Sequence, residues 1–311
     1  VPQKLPESYA LSKQLIQAMQ LSAPIVALES AVITHGLPRP ENLNLARDME
    51  AVVKENGAVP ATVALLEGRI RVGLSDSQLE RLANLEKTRK ISLRDVGIAL
   101  NRGLSGGTTV AATLFVASQV GIRVFATGGI GGVHRGAPFD VSADLPQLGK
   151  TPVLVICAGA KAILDLPATR EYLETQGVPV IGYQTEEFPA FYTRSSGLSV
   201  DERVETPEEA ASIALAAWRA GLKSAILFVV PPPEEEALAA DKMESAIQDA
   251  MMEAEKKDIH GGALTPFLLA RVSKITEGES LRANLALLNN NAKIAAKAAA
   301  AMAASEKIGP F

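Results

Sequence analysis

Val153-Leu154-Val155-Ile156-Cys157-Ala158-Gly159-Ala160-Lys161 opens with five apolar residues and passes through a glycine to a charged residue. An apolar run of that length, with β-branched residues and a glycine at its end, predicts a buried strand that delivers Lys161 just past its carboxyl end. The same design recurs outward along the chain, at Pro24 to Leu28, Thr62 to Leu66, Val96 to Leu100, Val124 to Thr127, Pro179 to Tyr183 and Ala225 to Val230. Helix-patterned stretches separate these runs, and that alternation specifies an α/β fold. Pro60 to Leu74, with Glu67-Gly68 at its centre, has instead the pattern of a hairpin, so the sheet is expected to be mixed, though largely parallel. Helices are expected on both faces, in α/β/α layers.

Pro231-Pro232-Pro233 ends the last strand and Glu234-Glu235-Glu236 is expected to open an acidic helix, because proline cannot continue a ladder and carboxylates favour a helix start. The chain from Leu281 onward is rich in Ala and Asn, a composition that forms closely packed helices. The expected organisation is a single domain over residues 1–311, with a core over about 21–230 and a helical C-terminal region over about 234–311.

The balance of 31 Lys plus Arg against 35 Asp plus Glu gives a net charge of -4, so no broad field draws the chain to nucleic acid or to an anionic membrane. Cys157 is the only cysteine, which excludes an internal disulfide and a zinc site built from several thiolates and favours a reducing compartment. No stretch approaches the roughly 20 apolar residues of a membrane span. A cytoplasmic location is expected, a removed transit peptide being compatible with it.

In open α/β sheets ligands collect beyond the carboxyl ends of the strands, and four unusual segments are expected there. Glu29 follows Pro24 to Leu28 and precedes Ser30-Ala31-Val32-Ile33. Apolar surroundings raise a carboxyl pKa and suit it to proton transfer, whereas a structural ion pair is the ordinary alternative. Ser105-Gly106-Gly107-Thr108-Thr109 is expected to open a helix with N–H groups and hydroxyls able to hold a phosphate, or simply to cap it. Gly128 to Gly136 holds five glycines in nine residues together with His134 and Arg135; it is either a ligand loop or a mobile surface loop. Lys161 is expected at the start of a helix over Ala160 to Leu166, where dipole and desolvation would favour a neutral, nucleophilic amine. An exposed lysine is its ordinary alternative. Asp140, Ser142 and Asp144 alternate, so an extended backbone would put their oxygens on one side, as a hard divalent cation requires; helix capping competes.

These segments, in order over nearly the whole chain, resemble the pseudouridine-5'-phosphate glycosidase family. The matching motifs are Ala27-Leu28-Glu29-Ser30 with Thr34-His35-Gly36-Leu37-Pro38, Gly106 to Thr113, Ala126 to Arg135, Asp140 to Leu145, and Cys157 to Lys161. Gly182-Tyr183, Glu187 to Tyr192, Thr265 to Leu269, Ser280-Leu281, Asn284 and Asn290-Asn291-Ala292 continue the match. The resemblance implies reversible cleavage of pseudouridine 5'-phosphate to uracil and ribose 5-phosphate, assisted by Mn²⁺ or a similar cation, in a homotrimer. It implies that Lys161 forms a Schiff base, that Glu29 carries the proton and that Asp140 attends the metal. Lys90, Thr108, Val110, Ser142, Ala143 and Asp144 would contact substrate, with His134 and Asn284 as further pocket members. The chain departs from the family at Leu93, where an additional basic residue is expected, and in His260-Gly261-Gly262-Ala263, which lacks a common lysine.

The chemistry of the implied substrate agrees with a lysine catalyst. The leaving atom is carbon, so two carboxylates flanking an acetal are insufficient, and an amine that captures C1' of the opened ribose as an iminium ion supplies the electron sink. Two other functions use the same residues: a Schiff-base aldolase or lyase acting on a phosphosugar, and a noncatalytic phosphosugar-binding protein.

Overall fold

The computed structural model describes residues 5–259 and 264–307, apart from the side chains of residues 138, 306 and 307. The departure expected in His260 to Ala263 therefore lies outside the described residues. In chain order the first half comprises β1 (Tyr9–Leu11), α1 (Lys13–Gln20), β2 (Ile25–Leu28), α2 (Glu41–Glu55), β3 (Val59–Leu66), β4 (Arg69–Val72), α3 (Asp76–Asn84), β5 (Arg89–Ile91), α4 (Leu93–Asn101), β6 (Gly106–Thr108) and α5 (Val110–Val120). It continues through β7 (Val124–Ala126), β8 (Val133–His134), β9 (Ala137–Val141), α6 (Asp144–Leu148), β10 (Leu154–Cys157), β11 (Leu164–Asp165), α7 (Leu166–Thr175), β12 (Val180–Tyr183) and β13 (Glu202–Val204). The last elements are α8 (Pro207–Arg219), β14 (Ile226–Val229), α9 (Ala240–Lys256), α10 (Leu264–Ile275) and α11 (Glu279–Lys307).

The main sheet runs β1-β4-β3-β2-β7-β10-β14-β12-β13, with β6 joining β3 and carrying β5. From β3 through β13 the pairs along this path are parallel. Antiparallel pairing enters at β3–β4, the expected hairpin, and at β3–β6. All four residues of β10 and of β14 are buried, as a central strand covered on both faces requires. Helices cover both faces; α11 packs on α2 and α8, whereas α5 packs with α4 and α6. A second, antiparallel sheet, β11-β8-β9, stands at the same end as the central loops.

Three expected elements differ. Val96 to Leu100 is helix, not strand, because Ser92 and Asp95 form a reciprocal capping box that starts α4 at Leu93. The helix expected from Ala160 begins instead at Leu166, where the Asp165 carboxylate accepts the Ala168 N–H and proline occupies the first turn. Glu234–Glu236 forms only a single 3₁₀ turn before α9.

Candidate active site

The parallel strands β2, β7 and β10 lie side by side, so their carboxyl ends bring Glu29, Thr127-Gly128 and Gly159-Ala160-Lys161 to one place. Glu29 leaves β2 into a short π-helical turn, Val32–Gly36. The Thr127 hydroxyl donates to Glu29 Oε1. Lys161 is fixed through its backbone: its N–H donates to the Ile130 carbonyl at 3.1 Å, and its own carbonyl accepts from Leu164 at 3.0 Å. The helix expected to open at Ala160 does not act on it, because α7 starts five residues after Lys161.

The glycine loop is packed rather than mobile. Gly128, Gly129, Ile130, Gly131, Gly132 and Val133 are all buried. The backbone crosses neighbours too closely for a side chain: a Cβ at Gly129 would stand 2.6 Å from the Phe191 ring and 3.0 Å from the Gly159 carbonyl. Asp144 pins this loop to α5, since its two carboxylate oxygens accept the N–H groups of Gly131 and Ala111, each at 2.8 Å. Asn291 of α11 donates to the Thr127 carbonyl at 2.9 Å, tying the C-terminal region to the same loop.

Two adjoining compartments share the walls Glu29, Ala31, His35, Lys90, Lys161 and Thr265. The narrow one, about 60 Å³, is closed by Val32, Phe191, Pro266, Leu269, Asn284 and Leu288. Phe191 has a φ of 63°, a left-handed conformation unusual for a bulky residue and a mark of over-determined surroundings. The Asn284 side chain is buried, and among the described residues its Oδ1 has no hydrogen-bond partner. The wide compartment, about 710 Å³, is lined by Arg94, Thr109, Val110, His134, Asp140, Ser142, Ala143 and Asp144.

Charge and burial oppose one another at the shared wall. Burial pushes the Glu29 carboxyl above the usual carboxylate range, against the pull of the Lys161 cation and the Thr127 hydroxyl. Burial, then the neighbouring Lys161 cation, lowers Lys90 from the usual ammonium range. His35 is lowered too, chiefly by burial and next by Lys90. Behind them, Cys157 is fully buried, its thiol pushed up to about 12 by desolvation, so it takes no part as a thiolate.

A family model described as indigoidine synthase A like protein matches residues 14–301. The pseudouridine-5'-phosphate glycosidase of Caldanaerobacter subterraneus subsp. tengcongensis is 54% identical over 291 residues, covering 93% of this chain and 95% of that protein. The chain belongs to the pseudouridine-5'-phosphate glycosidase family. Pseudouridine-5'-phosphate glycosidase 2 of Rhizobium johnstonii is 51% identical over 302 residues, with 96% and 97% covered. Among solved structures, the prealnumycin C-glycosynthase AlnA in complex with ribulose 5-phosphate superposes with a TM-score of 0.90 at 38% identity, covering 98% of this chain and all of that one. An indigoidine synthase A-like protein of Thermotoga maritima superposes at 0.88 with 34% identity, 97% and 99% covered.

Against the glycosidase motifs, the cavity gathers Glu29, Lys90, Val110, His134, Asp140, Ser142, Ala143, Asp144, Lys161 and Asn284. Thr108 is a correction: it is fully buried and lines neither compartment, its hydroxyl donating to the Val63 carbonyl at 2.7 Å and accepting from Thr113. Thr109 stands at the wall instead. Gly106 and Gly107 serve close strand packing, since a Cβ on either would strike backbone of Arg89 or Ser30. Arg135 points away from the cavity and ties the β8–β9 hairpin to Glu244 at 2.6 and 3.0 Å. Asp140, Ser142 and Asp144 all line the wide compartment, but not along one extended strand, because the strand ends at Val141 and Ala143 is already helical. Among the described residues no group of three or more His, Cys, Asp and Glu side chains is arranged to hold a metal ion. Thr127, Phe191 and Arg94 had no assigned role in the sequence reading. Arg94 in particular carries no ion pair among the described residues and follows directly on Leu93, where the family's basic residue was expected.

Proposed function

We propose that this chain reversibly cleaves the C-glycosidic bond of pseudouridine 5'-phosphate, giving uracil and ribose 5-phosphate, with Lys161 as nucleophile and Glu29 as proton carrier. The observation that carries the reading is one cavity wall on which a half-buried carboxyl and a lysine stand together between a narrow compartment and a wide one whose lining includes Arg94, Thr109, His134 and Ser142. The narrow side suits a flat base, with the Asn284 amide set against its polar edge. The wide side suits a phosphorylated sugar, with Lys90 and Arg94 as cations and His134, Ser142 and the backbone at Val110 and Ala143 as positioning groups. Asp144 serves by holding the loop and α5 in place.

Glu29 donates its proton to the ribose ring oxygen as the C1'–O4' bond breaks, and the Lys161 nitrogen bonds to C1' through its lone pair. The Glu29 carboxylate takes back a proton from that nitrogen. It then delivers the proton to uracil C5, the nitrogen lone pair forms the C1'=N bond, and the C1'–C5 pair stays with the base. Water hydrolyses the iminium, whose surplus proton returns to the Glu29 carboxylate, freeing Lys161 and the sugar aldehyde, which closes to ribose 5-phosphate.

A hydrated Mn²⁺ or similar ion fits beside Asp140, whose side chain is 51% exposed at the cavity edge. Such ions keep several waters and bind through one carboxylate plus a substrate phosphate. The ion would supply positive charge that orients the anionic sugar. The family resemblance also implies a homotrimer and a cytoplasmic site of action; light scattering on purified protein tests the first. Among the described residues no helix is long and apolar enough to cross a membrane.

Borohydride trapping with ribose 5-phosphate, read together with ultraviolet monitoring of pseudouridine 5'-phosphate, tests the reading. Wild type is expected to gain one sugar adduct at Lys161, lost in Lys161→Ala. Cleavage of simple phosphosugars with no turnover of pseudouridine 5'-phosphate would instead establish an aldolase or lyase. Wild type that binds the sugar with neither adduct nor turnover would be a binding protein.

A further inference from the structure

A second cavity of about 630 Å³ lies apart from the first, between β1, β4, α2 and the start of α3. Its walls carry Arg47, Glu50, Lys54, Arg71 and Asp76, a density of charge that nothing in the glycosidase chemistry uses. Most of these charges are matched. Arg47 clamps Asp76 through two bonds of 2.7 and 2.8 Å. Glu50 accepts from Thr62 at 2.7 Å and stands 3.4 Å from Lys54.

Arg71 is the exception. It projects from β4, and among the described residues its buried Nε has no hydrogen-bond partner and no carboxylate pairs with its guanidinium. Glu67 senses it only weakly, being held by Arg81 at 2.6 Å. A partly buried guanidinium without an anion is costly, since desolvation of a charge is offset only by a partner. The volume beside it is in the range of small-molecule sites.

We propose that this cavity is a second ligand site, specific for a phosphate group, in which Arg71 forks onto two phosphate oxygens and Lys54 from α2 takes a third. A planar guanidinium matches that bidentate geometry. The Lys54 pairing with Glu50 is long, at 3.4 Å, and the Lys54 side chain is half-exposed, so its ammonium can turn to a ligand in the cavity. The ligand class is a small phosphate ester or inorganic phosphate, bound independently of the catalytic cavity.

Crystals soaked in tungstate, a heavy phosphate analogue, test this directly. An anomalous peak is expected within hydrogen-bond distance of the Arg71 guanidinium in wild type, lost in Arg71→Gln and weakened in Lys54→Gln. Part of the rise in Tm given by inorganic phosphate should be lost in Arg71→Gln, while cleavage of pseudouridine 5'-phosphate is unchanged and certifies the fold. Should Arg71→Gln not fold, Arg71→Lys, which keeps the charge and loses the fork, is expected to bind tungstate more weakly. A wild-type crystal with no peak at Arg71, as when another copy of the chain covers the cavity, overturns the proposal. So does a peak that persists in Arg71→Gln, which marks an adventitious ion only.

Discussion

Thr127 at the end of β7 donates its hydroxyl hydrogen to Glu29 at the end of β2, so one oxygen of the half-buried carboxyl is engaged, while the other accepts no hydrogen bond among the described residues. The bond also sets the acidity of Glu29, because a donor to the carboxylate form opposes the upward push of burial. The adjacent strand thus tunes the proposed proton carrier through this one bond.

Thr127→Val removes the donor at nearly constant shape. The Glu29 pKa, already raised, is expected to rise further. Since the protonated form is the donor, activity is lost as pH rises through that pKa, and the high-pH limb of kcat/KM should move upward in the variant. Glu29→Gln should lose turnover by roughly 10²–10⁴-fold yet still give the borohydride adduct. A high-pH limb unmoved in Thr127→Val would assign that limb to another group.

Asp144 holds two buried backbone donors, Gly131 N–H and Ala111 N–H. Asp144→Ala leaves both without a partner, at about 1–3 kcal/mol each. A clear fall in Tm is expected together with lost activity, whereas Asp144→Asn, which keeps one acceptor, should recover part of both. Thermal unfolding and the ultraviolet assay on the two variants decide this. Equal loss of activity with unchanged Tm in both would make Asp144 a direct substrate contact.

The sequence made the central strands legible because a parallel strand covered on both faces is written as an unbroken apolar run, as in Val153 to Cys157. Val96 to Leu100 looks the same over five residues, and only the Ser92–Asp95 capping box before it specifies helix. The glycines of 128–132 were legible as special. Their reason was not, since close approach to Phe191, Thr169 and Ser142 is a long-range property. Lys161 was placed at the right strand end but on a helix that starts later, because Asp165 offers the stronger cap. The closure of the narrow compartment by Pro266, Leu269, Asn284 and Leu288 joins elements more than two hundred residues from Glu29, a pairing that local pattern does not contain.

Asn284 offers the sharpest separation of base from sugar. Its Oδ1 is buried without a donor among the described residues, whereas a uracil ring presents an N–H beside a carbonyl, the complement of a side-chain amide. Asn284→Ala removes that recognition while leaving Lys161, Glu29 and the wide compartment intact. Trapping of ribose 5-phosphate is therefore expected at the wild-type rate. In the synthetic direction the KM for uracil should rise roughly tenfold or more, as loss of a buried hydrogen-bond partner costs about 1–3 kcal/mol. A variant that instead traps the sugar poorly, with the KM for uracil unchanged, would move the base out of the narrow compartment and reverse the assignment of the two sides.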